Sequence, residues 1–171
     1  MVNNLGAIFR PTEGFRTEIV KTKPSENQVP GDCLIWDSTN FYYKKPATDQ
    51  VGRNCVVVVD TDTNVGHGAA NINIDGVREV LARDWEVCVL CVTGCNVGDE
   101  LKWSATVAGA VDKWVPGTDT DSNKIIGRCV KLASQEHYDG INQALTAPGT
   151  NTRIIMYKYD RSLPTAVDLD T

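Results

Sequence analysis

Residues 85–92 read WEVCVLCV, and their apolar pattern predicts a β-rich fold. Successive side chains of an extended chain point to opposite sides of the strand. One side carries Trp85, Val87, Val89 and Cys91, and the other carries Cys88, Leu90 and Val92 after an initial Glu86. A strand that is apolar on both faces has to be covered on both faces, so the sequence predicts a central strand of a β-sheet.

The rest of the chain repeats this pattern of short, valine-rich apolar runs interrupted by Gly, Asn, Asp, Pro and Thr. Short strands and frequent turns are typical of an all-β domain. We expect a small β-barrel or sandwich of antiparallel strands over residues 30–159. Its other predicted strands are residues 33–36, 41–45, 55–60, 71–75, a hairpin over 101–115, 124–132 and 153–159.

Helical patterns are few, and we expect at most two short helices. The segment DGVREVLARD (75–84) has the length of a two-turn helix with Asp75 as its N-cap. The segment SQEHYDGINQAL (134–145) has a weak helical period that Gly140 interrupts.

Both ends of the chain differ from the middle. Residues 1–29 are mostly polar and contain one strand-like alternation, FRTEIV (15–20), and residues 160–171 form an acidic tail. We interpret them as an extended N-terminal arm and a polar C-terminal tail that become ordered against a partner. The apolar residues of the arm suit strand addition to an exposed sheet edge of that partner: Leu5, Ile8, Phe9, Phe15, Ile19 and Val20.

Composition excludes several classes of protein. The 171 residues carry a net charge of −5, and 42% of them are hydrophobic, which indicates a globular chain without the basic stripe of a nucleic-acid binder. No apolar run approaches the roughly 18 residues that a membrane-spanning helix needs. The start, MVNNLGAIFR, lacks the charged-then-apolar layout of a secretion signal.

The six cysteines are interpreted as free, buried thiols of a protein assembled in a reducing cytosol. Most lie inside valine-rich runs, where cysteine behaves as a small hydrophobic residue. Cys88 and Cys91 are three apart on a predicted strand and therefore point to opposite faces, which is unlike the turn of a zinc knuckle. The sequence predicts no metal site and no cofactor.

Catalytic patterns are also missing from the sequence. The two histidines, His67 and His137, lie in polar or Gly-rich segments, and no nucleophile-elbow or phosphate-loop pattern occurs. Two acidic loops, starting at Asp60 and Asp119, resemble the first positions of a calcium loop but lack its later Gly and Glu, so solvated turns are the better interpretation. We expect no catalytic residues.

A weak internal repeat divides the chain. GDCLIW begins at Gly31 and GDELKW at Gly98, and an aliphatic-Gly-Arg unit that leads into a Cys-Val strand follows each, at Val51 and Ile126. Glycine adopts positive φ in turns, and the Asp carboxylate can accept nearby backbone N–H groups. We expect two similar half-sheets, with Trp36 and Trp103 at equivalent core positions.

With the repeat identified, the order of motifs resembles a known family. From Gly98 to Tyr157 the chain reads GDELKW, a hairpin at VAGAVDKW, the strand IIGRCVKLA, a polar connection and the strand RIIMY. This order is similar to that of the small β-barrel capsid decoration, or cement, proteins of tailed bacteriophages. KPATDQVGRNCVVV (45–58) resembles an earlier segment of the same family. Arg53 and Arg128 depart from it, since the family more often has a small or apolar residue after the glycine.

The resemblance implies a non-enzymatic structural protein of the virion. Such proteins bind the outer surface of an icosahedral head, often as trimers, and hold neighbouring major-capsid subunits together against the pressure of packaged DNA. The implied partners are two further copies of the chain and the major capsid protein, for which the apolar residues of the arm are the predicted capsid-binding set. The acidic composition and the short apolar runs predict no nucleic-acid or membrane partner. The implied location is the capsid exterior, after assembly in the host bacterial cytoplasm.

Two functions of other classes stay open. One is a carbohydrate- or receptor-binding module of a head fibre or tail, which glycan binding by the isolated protein would favour. The other is a small enzyme or metal-dependent hydrolase, which a stoichiometric bound metal would favour.

Overall fold

The computed structural model describes residues 17–47, 55–59, 75–82, 85–120, 124–132 and 152–159. Within these ranges the chain forms ten β-strands and no α-helix, which confirms the all-β prediction. The strands are β1 (Thr17–Lys21), β2 (Cys33–Asp37), β3 (Tyr42–Lys44), β4 (Cys55–Val58), β5 (Val77–Leu81), β6 (Trp85–Cys91), β7 (Glu100–Trp103), β8 (Val111–Lys113), β9 (Ile125–Leu132) and β10 (Thr152–Lys158).

The strands form two five-stranded sheets, one from each half of the chain. The first, which we call the N-terminal unit, has the order β1-β5-β4-β2-β3, and a parallel bridge between Thr22 and Tyr43 joins its two outer strands at one end. The second, the C-terminal barrel, is closed in the order β10-β6-β8-β7-β9. The predicted hairpin over 101–115 is the β7–β8 pair of this barrel.

The two sheets have the same topology. Adding five to each strand number of the N-terminal unit gives β6-β10-β9-β7-β8, which is the order of the closed barrel read in the other direction. The registers agree as well: Trp36 faces Tyr43, and at the equivalent place Trp103 faces Val111. The closing parallel bridge reaches these same two residues, from Thr22 to Tyr43 and from Cys91 to Val111.

The Gly-Asp turns that open the two copies are equivalent atom by atom. Gly31 and Gly98 have φ of +89° and +96°. Asp32 accepts the backbone N–H of the residue three before it at 2.7 Å and the ammonium of Lys45 at 2.9 Å. Asp99 makes the same two contacts at 2.7 Å and 2.9 Å, the second with Lys113. This part of the predicted repeat is therefore a true structural repeat.

The predicted equivalence of the two aliphatic-Gly-Arg units is wrong. Gly127 faces Leu101 as Val56 faces Leu34, so Gly127 corresponds to Val56, while Val51–Arg53 lie outside the described residues. Packing explains why residue 127 is a glycine although its counterpart is a valine. A Cβ on Gly127 would lie 2.7 Å from Cγ of Met156, whereas the residue that corresponds to Met156 in the N-terminal unit is the smaller Val80.

The helix predicted over residues 75–84 is also wrong, because Val77–Leu81 forms strand β5. β5 pairs with β1 on one side and with β4 on the other, and these tertiary contacts outweigh a weak helical preference. Asp75 does not cap a helix; its carboxylate accepts the backbone N–H of Ser25 at 2.7 Å. The second helical pattern, 134–145, lies outside the described residues.

Two apolar clusters form the core. The smaller fills the inside of the N-terminal unit with side chains such as Leu34, Val56 and Val80. The larger is shared by both sheets: the outer face of the N-terminal unit, including Val57 and Leu81, packs with the inside of the C-terminal barrel. One continuous apolar cluster therefore joins the two repeats.

Candidate functional site

The hairpin between β2 and β3 ends in a tight, hydrogen-bonded tip. The Asp37 carboxylate accepts the backbone N–H groups of Thr39 at 2.9 Å and Asn40 at 3.1 Å, and it pairs with the Lys44 ammonium at 2.8 Å. The N–H of Phe41 donates to the carbonyl of Asp37 at 2.8 Å. One aspartate thus fixes the whole loop, as short polar side chains do in turns.

The same contacts determine the charge state of Asp37. The Lys44 ammonium, followed by the hydrogen bonds from Asn40, holds the pKa of Asp37 well below its ordinary value of 3.8. The pKa of Lys44 is raised for the same reason, since Asp37 stabilises its charged form. The pair at the base of the tip therefore stays ionised across the neutral range.

Three aromatic rings meet at this tip, and we call Trp36, Phe41 and Tyr43 the aromatic tip. Trp36 contacts Tyr43 edge to face at a centroid distance of 5.1 Å and Phe41 at 6.5 Å. Tyr43 is buried, Trp36 is 36% exposed and Phe41 is 67% exposed. The rings therefore run from the core to the solvent, and the outermost presents a large apolar side chain to water.

Phe41 has φ of +57°, in the left-handed region that favours glycine. Such a backbone costs a bulky residue roughly 1–2 kcal/mol. Non-glycine residues held in such conformations are concentrated at functional sites, where the surrounding structure enforces them. Exposure and strain together mark Phe41 as the candidate functional residue.

The equivalent hairpin of the C-terminal barrel, between β7 and β8, contacts another part of the same chain through its tip. Its loop is held in the same way, by Ser104 Oγ accepting the N–H groups of Thr106 at 3.3 Å and Val107 at 3.2 Å. The residue at the position of Phe41 is Gly109, with φ of +90°. The Gly109 carbonyl accepts the N–H of Cys33 at 2.7 Å, so this tip docks on the N-terminal unit.

The docked tip lies against the first Gly-Asp turn. A Cβ on Gly109 would be 2.6 Å from Oδ1 of Asp32, so only glycine fits there. Burial raises the pKa of Asp32 despite the hydrogen bonds from Lys45 and Val29. Burial also acts to raise the pKa of the equivalent Asp99, but the Asn96 amide and Lys113 outweigh it and hold that pKa below its ordinary value. The difference reflects deeper burial of the turn that the tip covers.

The predicted capsid-binding arm is described only in part. Leu5, Ile8, Phe9 and Phe15 lie outside the described residues. Ile19 and Val20 are in β1, where Ile19 is 65% exposed and Val20 packs against the core of the N-terminal unit. Residues 17–21 are therefore part of the sheet, through pairing with β5, although we expected an arm up to residue 29.

The aromatic tip was not predicted from the sequence. Trp36 and Trp103 were both expected in the core; the structure confirms this for Trp103, which is 3% exposed, and not for Trp36. The available signal was the turn-forming stretch DSTN (37–40) directly before Phe41. A large aromatic residue directly after four turn residues lies at a loop end and is not expected in the core.

The six cysteines are all buried and none is in a disulfide. The Cys33 thiol contacts that of Cys55, and Cys95 contacts Cys91 and Cys129. The Cys95 thiol donates a hydrogen bond to Cys129, and this bond, together with burial, raises the pKa of Cys95 to about 12; the same bond lowers the pKa of Cys129. The Cys95 thiol is therefore uncharged at neutral pH, and it packs as a small apolar group that is a poor nucleophile.

Other candidate chemistry gives no site in the described ranges. No group of three His, Cys, Asp or Glu side chains is placed to hold a metal ion there. Asp119, which opens one of the acidic loops, accepts the N–H of Val115 at 2.6 Å and pairs with Lys102. His67, His137 and the loop at Asp60 lie outside the described residues. Among the residues the structure describes, no helix has the length and apolar character needed to cross a bilayer.

The chain was compared with protein-family models, with curated proteins and with solved structures. None of the three comparisons found a match.

Proposed function

We propose that the chain is a structural protein of a tailed-phage virion. It binds the outer surface of the icosahedral head and holds neighbouring major-capsid subunits together against the pressure of packaged DNA. In this proposal it acts without catalysis, as a homotrimer, on the capsid exterior after assembly in the bacterial cytoplasm.

One observation carries this proposal: the fold is a duplicated five-stranded sheet with one topology and one register. Two linked units of one topology suit a protein that bridges two neighbouring capsid subunits, although the side chains on their surfaces differ. Two linked weak contacts also bind far more strongly than one, because the second forms within the same complex. The motifs from Gly98 to Tyr157, which carry the resemblance to decoration proteins, supply strands β7–β10 of the closed barrel.

Charge supports the same proposal. The net charge of −5 disfavours binding to packaged or host nucleic acid during assembly. The arm before β1, with Leu5, Ile8, Phe9 and Phe15, is proposed to add further contacts along the capsid surface, as an extended segment can by strand addition.

A second candidate is a carbohydrate- or receptor-binding module of a head fibre or tail. The exposed rings of Phe41 and Trp36 favour it, since sugars stack on exposed aromatic side chains. The decoration function is preferred because it also accounts for the duplication.

The proposed function is tested with empty heads assembled from the major capsid protein of the same genome. Saturable co-sedimentation of the chain with these heads, and a higher temperature at which DNA-filled heads release DNA, are the expected results. Heads already saturated with the chain are the control. Absence of binding, or binding without any effect on DNA release, would contradict the proposal; binding only to a glycan array would favour the second candidate.

A further inference from the structure

We infer that the aromatic tip is a protein-docking element that inserts the Phe41 ring into an apolar recess of its partner. This inference rests on the proposed function, under which the partner is a major-capsid subunit. It deepens that function by assigning the attachment site to a hairpin of the N-terminal unit.

The first argument is the internal precedent. The β7–β8 tip, which is equivalent in register and in the side-chain hydrogen bonds that hold its loop, already docks on protein through Gly109 and Cys33. In the N-terminal unit the same element is exposed, and Phe41 replaces the glycine. An element that docks through its backbone in one copy is thus built in the other copy to dock through a side chain.

The second argument is preorganisation. Asp37 fixes the loop through the N–H groups of Thr39 and Asn40, and Trp36 contacts the ring of Phe41. The ring is therefore held outward before any partner arrives, and binding does not have to order it. Aromatic residues on rigid supports are the usual hot spots of protein interfaces.

The third argument concerns the choice of partner, because a second copy of this chain fits poorly. In the N-terminal unit the row of side chains next to the docked tip is apolar and fully buried: Cys33, Val57 and Leu81. At the equivalent places the C-terminal barrel has Glu100, Arg128 and Tyr157. The tip of another copy would meet the polar side chains of Glu100, Arg128 and Tyr157 there and not an apolar row, which disfavours the same contact between two copies. We therefore assign the recess to the capsid subunit.

The test measures binding of variants to empty heads assembled from the major capsid protein of the same genome. Phe41→Gly removes the ring and suits the local backbone, so the sheet keeps its fold. Ser25→Gly is the matched control, because Ser25 is the other described non-glycine residue with positive φ, at +58°. Phe41→Tyr keeps an aromatic ring. Thermal unfolding verifies that each variant is folded.

We expect Phe41→Gly to weaken binding at least about 30-fold, as loss of a hot spot of about 2 kcal/mol does. Ser25→Gly should bind within about threefold of the wild type. Phe41→Tyr should bind better than Phe41→Gly but more weakly than the wild type, because its hydroxyl would enter an apolar recess. Equal binding by Phe41→Gly would overturn the inference and leave the proposed function standing, whereas no binding by the wild type would overturn both. A change in the oligomeric mass of Phe41→Gly in solution, or Phe41-dependent glycan binding, would overturn the inference in favour of a second copy or a sugar.

Discussion

Phe41 and Gly109 occupy the same position in two equivalent hairpins, and both have positive φ, at +57° and +90°. Each lies two residues before the strand residue that faces the tryptophan of its unit. Gly109 is buried against Asp32, whereas Phe41 extends into solvent. The same backbone conformation therefore makes a contact within the chain at Gly109 and exposes a side chain to solvent at Phe41.

Gly109→Ala should destabilise the protein through the contact between the two units. The new Cβ would meet Asp32 Oδ1 at 2.6 Å on a backbone that disfavours it, at a combined cost of about 2 kcal/mol or more. Gly117→Ala is the control, because Gly117 also has positive φ but has nothing within 4 Å of the Cβ position, so about 1 kcal/mol is expected. Urea unfolding measures both, and equal losses would contradict the docking of this tip.

Gly127→Ala should destabilise the C-terminal barrel by about 1–3 kcal/mol, the usual range for overpacking a core. The added Cβ would lie 2.6 Å from the Tyr157 carbonyl and 2.7 Å from Met156 Cγ. Adding Met156→Val shortens the side chain that the new Cβ would meet and brings position 156 to the size of Val80, so the double variant should lose less than the sum of the two single variants. Strict additivity in a double-mutant cycle would contradict this account of the repeat.

The free energy of unfolding should fall in acid, with Asp37 as a main cause. Its pKa in the folded protein lies below the ordinary value of 3.8, so its contribution is complete above that value and is lost as the pH falls toward the folded pKa. Asp32, whose pKa is raised, acts in the opposite direction. We therefore expect Asp37→Asn to flatten the decline between about pH 5 and pH 2, measured by urea unfolding. An equally steep decline in the variant would show that other carboxylates cause it.

Truncation should distinguish the role of the arm before β1 from the role of β1 in the sheet. Removing residues 1–16 leaves β1 intact, so we expect both units to stay folded while binding to heads weakens. Removing residues 1–21 also deletes β1, which pairs with β5 along five residues, and should unfold the N-terminal unit. Circular dichroism and co-sedimentation measure the two effects. Full binding after removal of residues 1–16 would show that the arm is not needed.

Thiol titration tests the interpretation of the cysteines. Under denaturing, non-reducing conditions we expect six reactive thiols, since all six are free and buried in the folded chain. In the folded protein they should react slowly, because all six are fully buried, and hydrogen bonds to neighbouring thiols, together with burial, raise the pKa of Cys91 and of Cys95. A count below six would indicate disulfides, and rapid reaction of the folded protein would indicate exposure.

The sequence was sufficient for the fold class and for most strands, because runs such as WEVCVLCV and CVVVV are apolar on both faces. It also identified the Gly-Asp turns, whose chemistry is local. It was insufficient for β5, where pairing with β1 and β4 outweighs a helix-like pattern. The correspondence of Gly127 with Val56 could not be predicted from local motifs. It depends on the residues that pack against these two positions, Met156 and Val80, which lie in distant segments of the sequence.

The candidate site was predicted less well for the same physical reason. Trp36 and Trp103 follow the same Gly-Asp-x-Leu-x motif, yet Trp36 is exposed and Trp103 is buried. The difference arises because the β7–β8 hairpin is covered by the other unit and the β2–β3 hairpin is not. The strain at Phe41 comes from the turn that Asp37 organises, and it becomes visible only in backbone angles.

Electron cryomicroscopy of heads decorated with the purified chain shows whether the chain binds the shell and which part of it makes the contact. We predict ordered density for both five-stranded units on the outer surface of the shell, with the hairpin that carries Phe41 seated against a major-capsid subunit. Heads without added density, or density in which both units are held and the Phe41 hairpin faces solvent, would contradict the account: the first result would reject the decoration function, and the second would reject the docking site.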